Sequence, residues 1–153
     1  MFDVRVLIPV LVSLWCIGWT SPSWADFKAG VQAYGRGDYS TALSEFRPLA
    51  EQGQAQAQEY LGQMYANGLG VSRDYAEALH WFRLAADQSV ASAQYQLGLM
   101  YHNGQGALQD SAEAARWYRL AAEKGHAAAR VNLGRLYLDG LGVPQSYEEA
   151  KHW

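Results

Sequence analysis

The residues that could do chemistry in this chain are four histidines, one cysteine, a few paired acids and three Gly-x-Gly loops that recur at one spacing. His80 and His152 fall in one repeating position with Arg116 between them, and a position that takes imidazole or guanidinium alike reads as a solvated helix face. His102 and His126 have no second histidine or cysteine at ligand spacing, so no metal centre is expected. The loops Gly68-Leu69-Gly70, Gly104-Gln105-Gly106 and Gly140-Leu141-Gly142 lack the third glycine of a dinucleotide fingerprint. They also join helix to helix, where the fingerprint needs strand to helix, so they read as helix stops. There is no His-Glu-x-x-His, and no serine begins a Ser-x-x-Lys. Glu148-Glu149 falls in a helix first turn, where the macrodipole favours carboxylates. Neither a catalytic residue nor a cofactor is expected.

Composition narrows the partners. The 153 residues, 50% hydrophobic and 18% charged, make one ordinary folded domain. A net charge of -3 leaves no basic surplus to neutralise phosphates, which argues against nucleic acid and against polybasic membrane docking.

The first 25 residues read as a signal peptide. Arg5 precedes the uncharged run from Val6 to Trp19, Pro22 breaks the helix, and Ser23-Trp24-Ala25 offers small residues where signal peptidase needs them. Cleavage is expected after Ala25, placing the mature protein in the periplasm or outside the cell with no membrane contact. The run is short for a span of ~20 residues; Asp3 keeps an uncleaved signal anchor open as the alternative. Cys16, the one cysteine, leaves with the signal, so no disulfide can form in the mature chain. The bulky Trp15 before it argues against lipoprotein processing.

The elements that would position any site come from an internal repeat of 36 residues. Gln54–Ser89, Val90–Gly125 and His126–Trp153 align without a gap. Identical columns include Ala57/Ala93/Ala129, Leu61/Leu97/Leu133, Gly62/Gly98/Gly134, Tyr65/Tyr101/Tyr137, Gly68/Gly104/Gly140 and Trp81/Trp117/Trp153. Ala57, Leu61, Met64 and Tyr65 form the apolar stripe of a first helix in each unit. Gly62 interrupts that stripe at a cost of about 1 kcal/mol against alanine, and its recurrence implies a bulky side chain packed on the backbone. Asp74-Tyr75-Ala76-Glu77, Asp110-Ser111-Ala112-Glu113 and Ser146-Tyr147-Glu148-Glu149 match capping boxes, so second helices should begin near residues 75, 111 and 147. Their buried stripe should run Ala78, Trp81, Phe82, Ala85 and Ala114, Trp117, Tyr118, Ala121. Residues 26–53 read as a shortened N-terminal cap, with Phe27, Val31 and Tyr34 on one helix and Tyr39, Ala42, Leu43, Phe46 and Leu49 on the next. The domain organisation expected is therefore signal 1–25, cap 26–53, units 54–89 and 90–125, and an incomplete unit 126–153.

The pattern A-x-A-Q-x-x-L-G-x-M-Y-x-N-G-x-G-x-x-x-D-x-A-E-A-x-x-W-[FY]-R-L-A-A resembles the Sel-one-like repeat, a relative of the tetratricopeptide repeat. The resemblance implies an all-α fold, a right-handed α-solenoid of antiparallel helix pairs whose first helices line a concave surface. It implies a scaffold or adaptor for a protein or peptide partner, and no chemistry. Exported relatives often bridge each helix pair with a disulfide; here aromatic and alanine packing must suffice. Some exported relatives have been discussed as penicillin binders or hydrolases, so a cell-wall or β-lactam hydrolase is the alternative by analogy.

Columns fixed by packing repeat, while columns that change are free to bind something. On the first helices these are Gln56/Ser92/Ala128, Glu59/Tyr95/Val131, Gln63/Leu99/Arg135 and Ala66/His102/Leu138, with Asn67/Asn103/Asp139 at the end. Their spacing puts them on one helix face, which by the resemblance lines the groove. Its candidate residues are Gln56, Glu59, Gln63, Ser92, Tyr95, Leu99, His102, Asn103, Val131, Arg135, Leu138 and Asp139, with an apolar centre and a charged periphery suited to a peptide or protein helix. Tyr95, aromatic and central, is the foremost candidate. Because Trp153 falls where the last helix has only begun its buried face, the chain is expected to be a fragment of a longer protein, or its end to fray or be sealed by a partner.

Overall fold

Helices in this chain stop where glycine lets the backbone turn and restart where a short polar side chain caps the next one. The computed structural model describes residues 24–153, with side chains from residue 26 onward. The segment 1–25 read as a signal peptide, with Cys16, lies outside the described residues, except that Trp24 and Ala25 begin the first helix. Among the described residues there are eight helices and no strand: α1 (Trp24–Gly35), α2 (Tyr39–Glu51), α3 (Ala55–Asn67), α4 (Tyr75–Asp87), α5 (Ala91–Asn103), α6 (Ser111–Glu123), α7 (Ala127–Asp139) and α8 (Tyr147–His152). None is long and apolar enough to cross a membrane.

Gly68, Gly104 and Gly140 take left-handed φ values of 68°, 67° and 66° and end α3, α5 and α7, a conformation that L side chains resist. Asp74 and Asp110 then cap α4 and α6, each accepting from two backbone amides, and Ser146 caps α8 by accepting from Glu149 N. These caps are half of the expected box. The amide of each N-cap residue is taken by a tyrosine carbonyl nine residues back, in Asp74 N–Tyr65 O, Asp110 N–Tyr101 O and Ser146 N–Tyr137 O at 2.9 Å each. That amide therefore does not need the glutamate, and Glu113 turns instead to Arg116 at 2.9 Å, an exposed pair that adds little.

The expected buried stripes are present. Ala57, Leu61, Met64, Ala78, Trp81, Phe82 and Ala85 are buried in one unit, and Ala93, Leu97, Met100, Ala114, Trp117, Tyr118 and Ala121 in the next. Tyr65 and Tyr101 are only half-buried, and their hydroxyls, like that of the buried Tyr137, meet an arginine of the preceding unit. Arg47 donates to Tyr65 at 2.8 Å, and Arg83–Tyr101 and Arg119–Tyr137 repeat the bond. Phe27, Val31 and Tyr34 are half-buried too, packed on the first core cluster.

Two glycine columns set how helices approach. A Cβ at Gly62 would lie 2.7 Å from the Phe82 ring, and one at Gly30 would lie 2.6 Å from Phe46; at Gly98 it would strike the Tyr118 ring. The expected bulky neighbour is thus an aromatic of the second helix, and the cap obeys the same rule. At Gly134 the contact is instead the Ala150 carbonyl at 3.1 Å, because the ring's column would fall one residue past Trp153. The second glycine of each loop does the same between units, since a Cβ at Gly70 would lie 2.8 Å from the Tyr39 carbonyl, and those of Gly106 and Gly142 would strike backbone of Tyr75 and Ser111. Every substantial packing contact joins helices consecutive in the chain, which makes the fold an α-solenoid.

Gly62→Ala and Gly98→Ala should therefore lower stability by about 1–3 kcal/mol, the ordinary cost of overpacking, against the usual helical preference for alanine. Gly35→Ala, whose new methyl meets nothing within 4 Å, should be neutral or stabilising. Urea unfolding of the three variants decides: equal midpoints would mean that the ring contact does not constrain the backbone.

Candidate functional site

The first helices α3, α5 and α7 carry the changing columns, and spaces open between them where those columns are small or polar. Between α1 and α3 the space is filled. Tyr60 stacks on Phe46 with centroids 4.6 Å apart and meets Tyr34 edge-on at 5.2 Å and Phe27 at 6.0 Å. Burial and its tyrosine neighbours push the Tyr34 phenol above its ordinary pKa.

One repeat on, Gln96 replaces Tyr60 and a cavity of about 230 Å³ opens. Gln63, Ala66, Asn67, Leu99, Asn103 and Gln105 line it, with Phe82 and Met100 behind. Two repeats on, Asn132 occupies the column and a cavity of about 310 Å³ lies between α5 and α7. Its lining is Leu99, His102, Tyr118, Asn132, Arg135, Leu136, Asp139 and Leu141.

The structure thus brings together Leu99, His102, Arg135 and Asp139 in one cavity and Gln63, Leu99 and Asn103 in the other, with Leu99 shared. The remaining expected residues line neither. Glu59 accepts from Gln63 Nε2 at 3.4 Å; Gln56 and Ser92 lie toward the helix starts; Val131 and Leu138 are exposed, at 61% and 45%. Tyr95 also stands apart. Its ring stacks on His126 at 4.5 Å and lies 5.8 Å from Tyr118, while His126 Nδ1 accepts from Ala129 N to cap α7. Tyr95 is therefore a packing residue between α5 and the start of α7 as much as a surface one.

Sequence reasoning missed the column Tyr60/Gln96/Asn132. It changes in every copy as much as the columns that were chosen, and its residue decides whether a cavity exists. Tyr118 was also missed as a lining residue, having been assigned to the core. It is both: 1% exposed, yet its hydroxyl makes no hydrogen bond within the described residues. Burial pushes the phenol up to about 12, with the Asn132 side chain close enough to oppose part of that rise, so it carries its proton at every physiological pH. His102 Nδ1 is likewise buried without a partner.

The column His80/Arg116/His152 is exposed at all three positions, as a solvated helix face should be, and each side chain also meets a neighbouring ring. His80 and His152 set their rings edge-on to Trp81 and Trp153 at 5.1 and 5.0 Å, and the Arg116 guanidinium lies 4.3 Å over Trp117. Each covers the following tryptophan, which explains why imidazole and guanidinium interchange. Among the described residues no three histidine, cysteine or acidic side chains gather as a metal site would need.

Helix pairs in register, packed mainly on their neighbours, with variable side chains around the spaces between first helices, define a tandem helical-repeat protein. The Sel1 repeat model matches residues 55–90, 91–126 and 127–153, and the chain belongs to that family. Its members generally mediate protein–protein interaction on a non-catalytic scaffold. Among solved structures, the chain is similar to a protective antigen of uropathogenic Escherichia coli strains displaying an SLR fold, at 40% identity over 84% of this chain and a TM-score of 0.80. It is similar also to a Sel1 repeat protein from Oxalobacter formigenes, at 36% identity over 83% and a TM-score of 0.80. It spans 28% of the first chain and 52% of the second. No curated protein matches.

Tyr118→Phe copies Phe82 of the preceding unit and removes only a buried hydroxyl without a hydrogen bond. Thermal unfolding should show Tm unchanged or raised, whereas Tyr118→Ala should cost about 3–5 kcal/mol. A large loss in Tyr118→Phe would mean that the hydroxyl is a structural bond.

Proposed function

We propose that this chain is an exported, non-catalytic scaffold that holds a protein or peptide partner in a concave groove formed by α3, α5 and α7. The observation that carries the reading is the division of labour along the repeat. Columns that recur are consumed by packing, while four of the changing columns surround two adjoining cavities that share Leu99. Openings of this size with a few polar groups and an apolar wall accept side chains of a partner laid across the helices. The α5–α7 cavity has no serine or cysteine among its lining residues, so a seryl or cysteinyl hydrolase mechanism finds no support there.

Leu99→Arg tests the groove. The same column already holds Gln63 and Arg135, so the fold tolerates the change, but it inserts a charge into both cavities. Capture of a cognate partner from the periplasmic or secreted fraction should fall at least about tenfold, equivalent to 1.4 kcal/mol, with Tm held. Turnover of nitrocefin by the purified chain, abolished by Leu99→Arg, would replace the scaffold reading with the hydrolase one.

Export is tested separately. Expressed from its own start in a Gram-negative host, the chain should be recovered from the periplasm or medium with a mass that begins at Asp26. A cytoplasmic product of full mass would remove the export reading and leave the groove untouched.

A further inference from the structure

Along α7 the stripe that the earlier first helices half-bury lies open. Glu59, Gln63 and Ala66 on α3, and Tyr95, Leu99 and His102 on α5, are half-buried, each set beside the first helix that follows. The same columns on α7, Val131, Arg135 and Leu138, are all exposed. Val131, Leu138 and Leu141 are three of the five large apolar side chains exposed among the described residues, and all three belong to α7 or the loop after it. Apolar side chains gathered in this way, rather than scattered singly, mark an interaction surface.

Charge changes with exposure. Gln63 and Leu99 give way to Arg135 in their column, and Asn67 and Asn103 to Asp139 in theirs. Where a following first helix lies alongside, these positions are neutral; where none does, they carry a cation and an anion one turn apart. Neither is in an ion pair among the described residues, and a cation before an anion is the weaker orientation within one helix.

We infer that the open stripe of α7 is an interface to a second copy of this chain, formed by two α7 helices packed antiparallel about a twofold axis. Such a pairing sets Val131 of one copy opposite Leu138 of the other. It also brings each Arg135 within a helical turn of the other copy's Asp139, so that every contact forms twice. Apolar contact supplies the attraction. The reciprocal charges fix the antiparallel sense, since a parallel pairing would set Arg135 against Arg135 and Asp139 against Asp139. A second copy supplies the apolar residues and both partner charges in the order needed, whereas any other occupant would have to bring them separately. The inference stands apart from the groove reading, because Val131 and Leu138 line neither cavity. Two helices of 13 residues meet over about 20 Å, the small end of interface sizes, so the dimer should dissociate in the micromolar range.

Sedimentation equilibrium of the full chain, from about 1 μM to about 500 μM, tests the interface. The mass should rise with concentration from one copy to two and stop there. Leu138→Glu should weaken association about tenfold or more, while Leu108→Glu, at an exposed leucine away from α7, should leave it unchanged. Arg135→Asp and Asp139→Arg should each weaken association as well, because each sets like charges together. Mixed in equal amounts, these two variants should pair with one another about as tightly as the native chain pairs with itself, since each supplies the charges that the other lacks. All four positions are exposed, so Tm should hold in every variant. One-copy mass at every concentration, growth past two copies, association that survives Leu138→Glu, or a mixture that stays monomeric would each overturn the interface. Capture of an unlike protein by the one-copy chain, lost in Leu138→Glu, would overturn it too and give the stripe to that partner.

Discussion

An aromatic ring packs against a bare stretch of helix backbone in each complete pair: Phe46 on Gly30, Phe82 on Gly62 and Tyr118 on Gly98. The contact needs glycine on one side, because any Cβ would enter the ring, and a large planar residue on the other to fill what glycine vacates. The close approach brings the alanines of both helices within packing range. It explains why the core alternates the smallest and largest apolar residues. Without a disulfide to clamp the pair, van der Waals contact of this kind is what the unit has.

The same exclusion principle operates between units. The second glycine of each loop lets its backbone lie against the start of the preceding second helix, and an arginine of that helix reaches a tyrosine hydroxyl of the next unit. Gln58 and Gln94 add side-chain bonds to the carbonyls of Ala50 and Ala86. Three core clusters follow, each centred on a second helix and the first helix after it, with Trp81 and Trp117 of the next second helix completing the first two. Stability is therefore built from nearest-neighbour terms, and the surface of the first helices is left free of structural duty.

That freedom is graded along the stack. Tyr60 and its aromatic neighbours close the space at the N-terminal end, amides open it in the middle, and charges of both signs, Arg135 and Asp139, border it between α5 and α7. The protein thus presents different chemistry at each step of a constant frame. A partner that reads all steps would be recognised by its sequence of side chains.

Much of this was legible in the residues. The period, the helix starts at 75, 111 and 147, the left-handed glycine stops and the ring-on-glycine contact all follow from local rules: capping, positive φ and the helical spacing of apolar positions. The Arg47/Arg83/Arg119 column also repeats at 36 and could have been read, but its partner is eighteen residues away on another helix, and periodicity does not name a partner. The cavities were less accessible. A changing column says that packing does not constrain it, not whether it opens a space or fills one. Tyr60 fills and Asn132 opens; Tyr95, which looked most like a binding residue, is occupied by His126; Tyr118, which looked like core, is core and also borders a cavity. Local sequence determines where each helix begins, ends and turns its apolar face, because those are contests among groups within a few residues. The shape left between helices depends on what side chains from separate units leave unfilled, and only their assembly in space decides it.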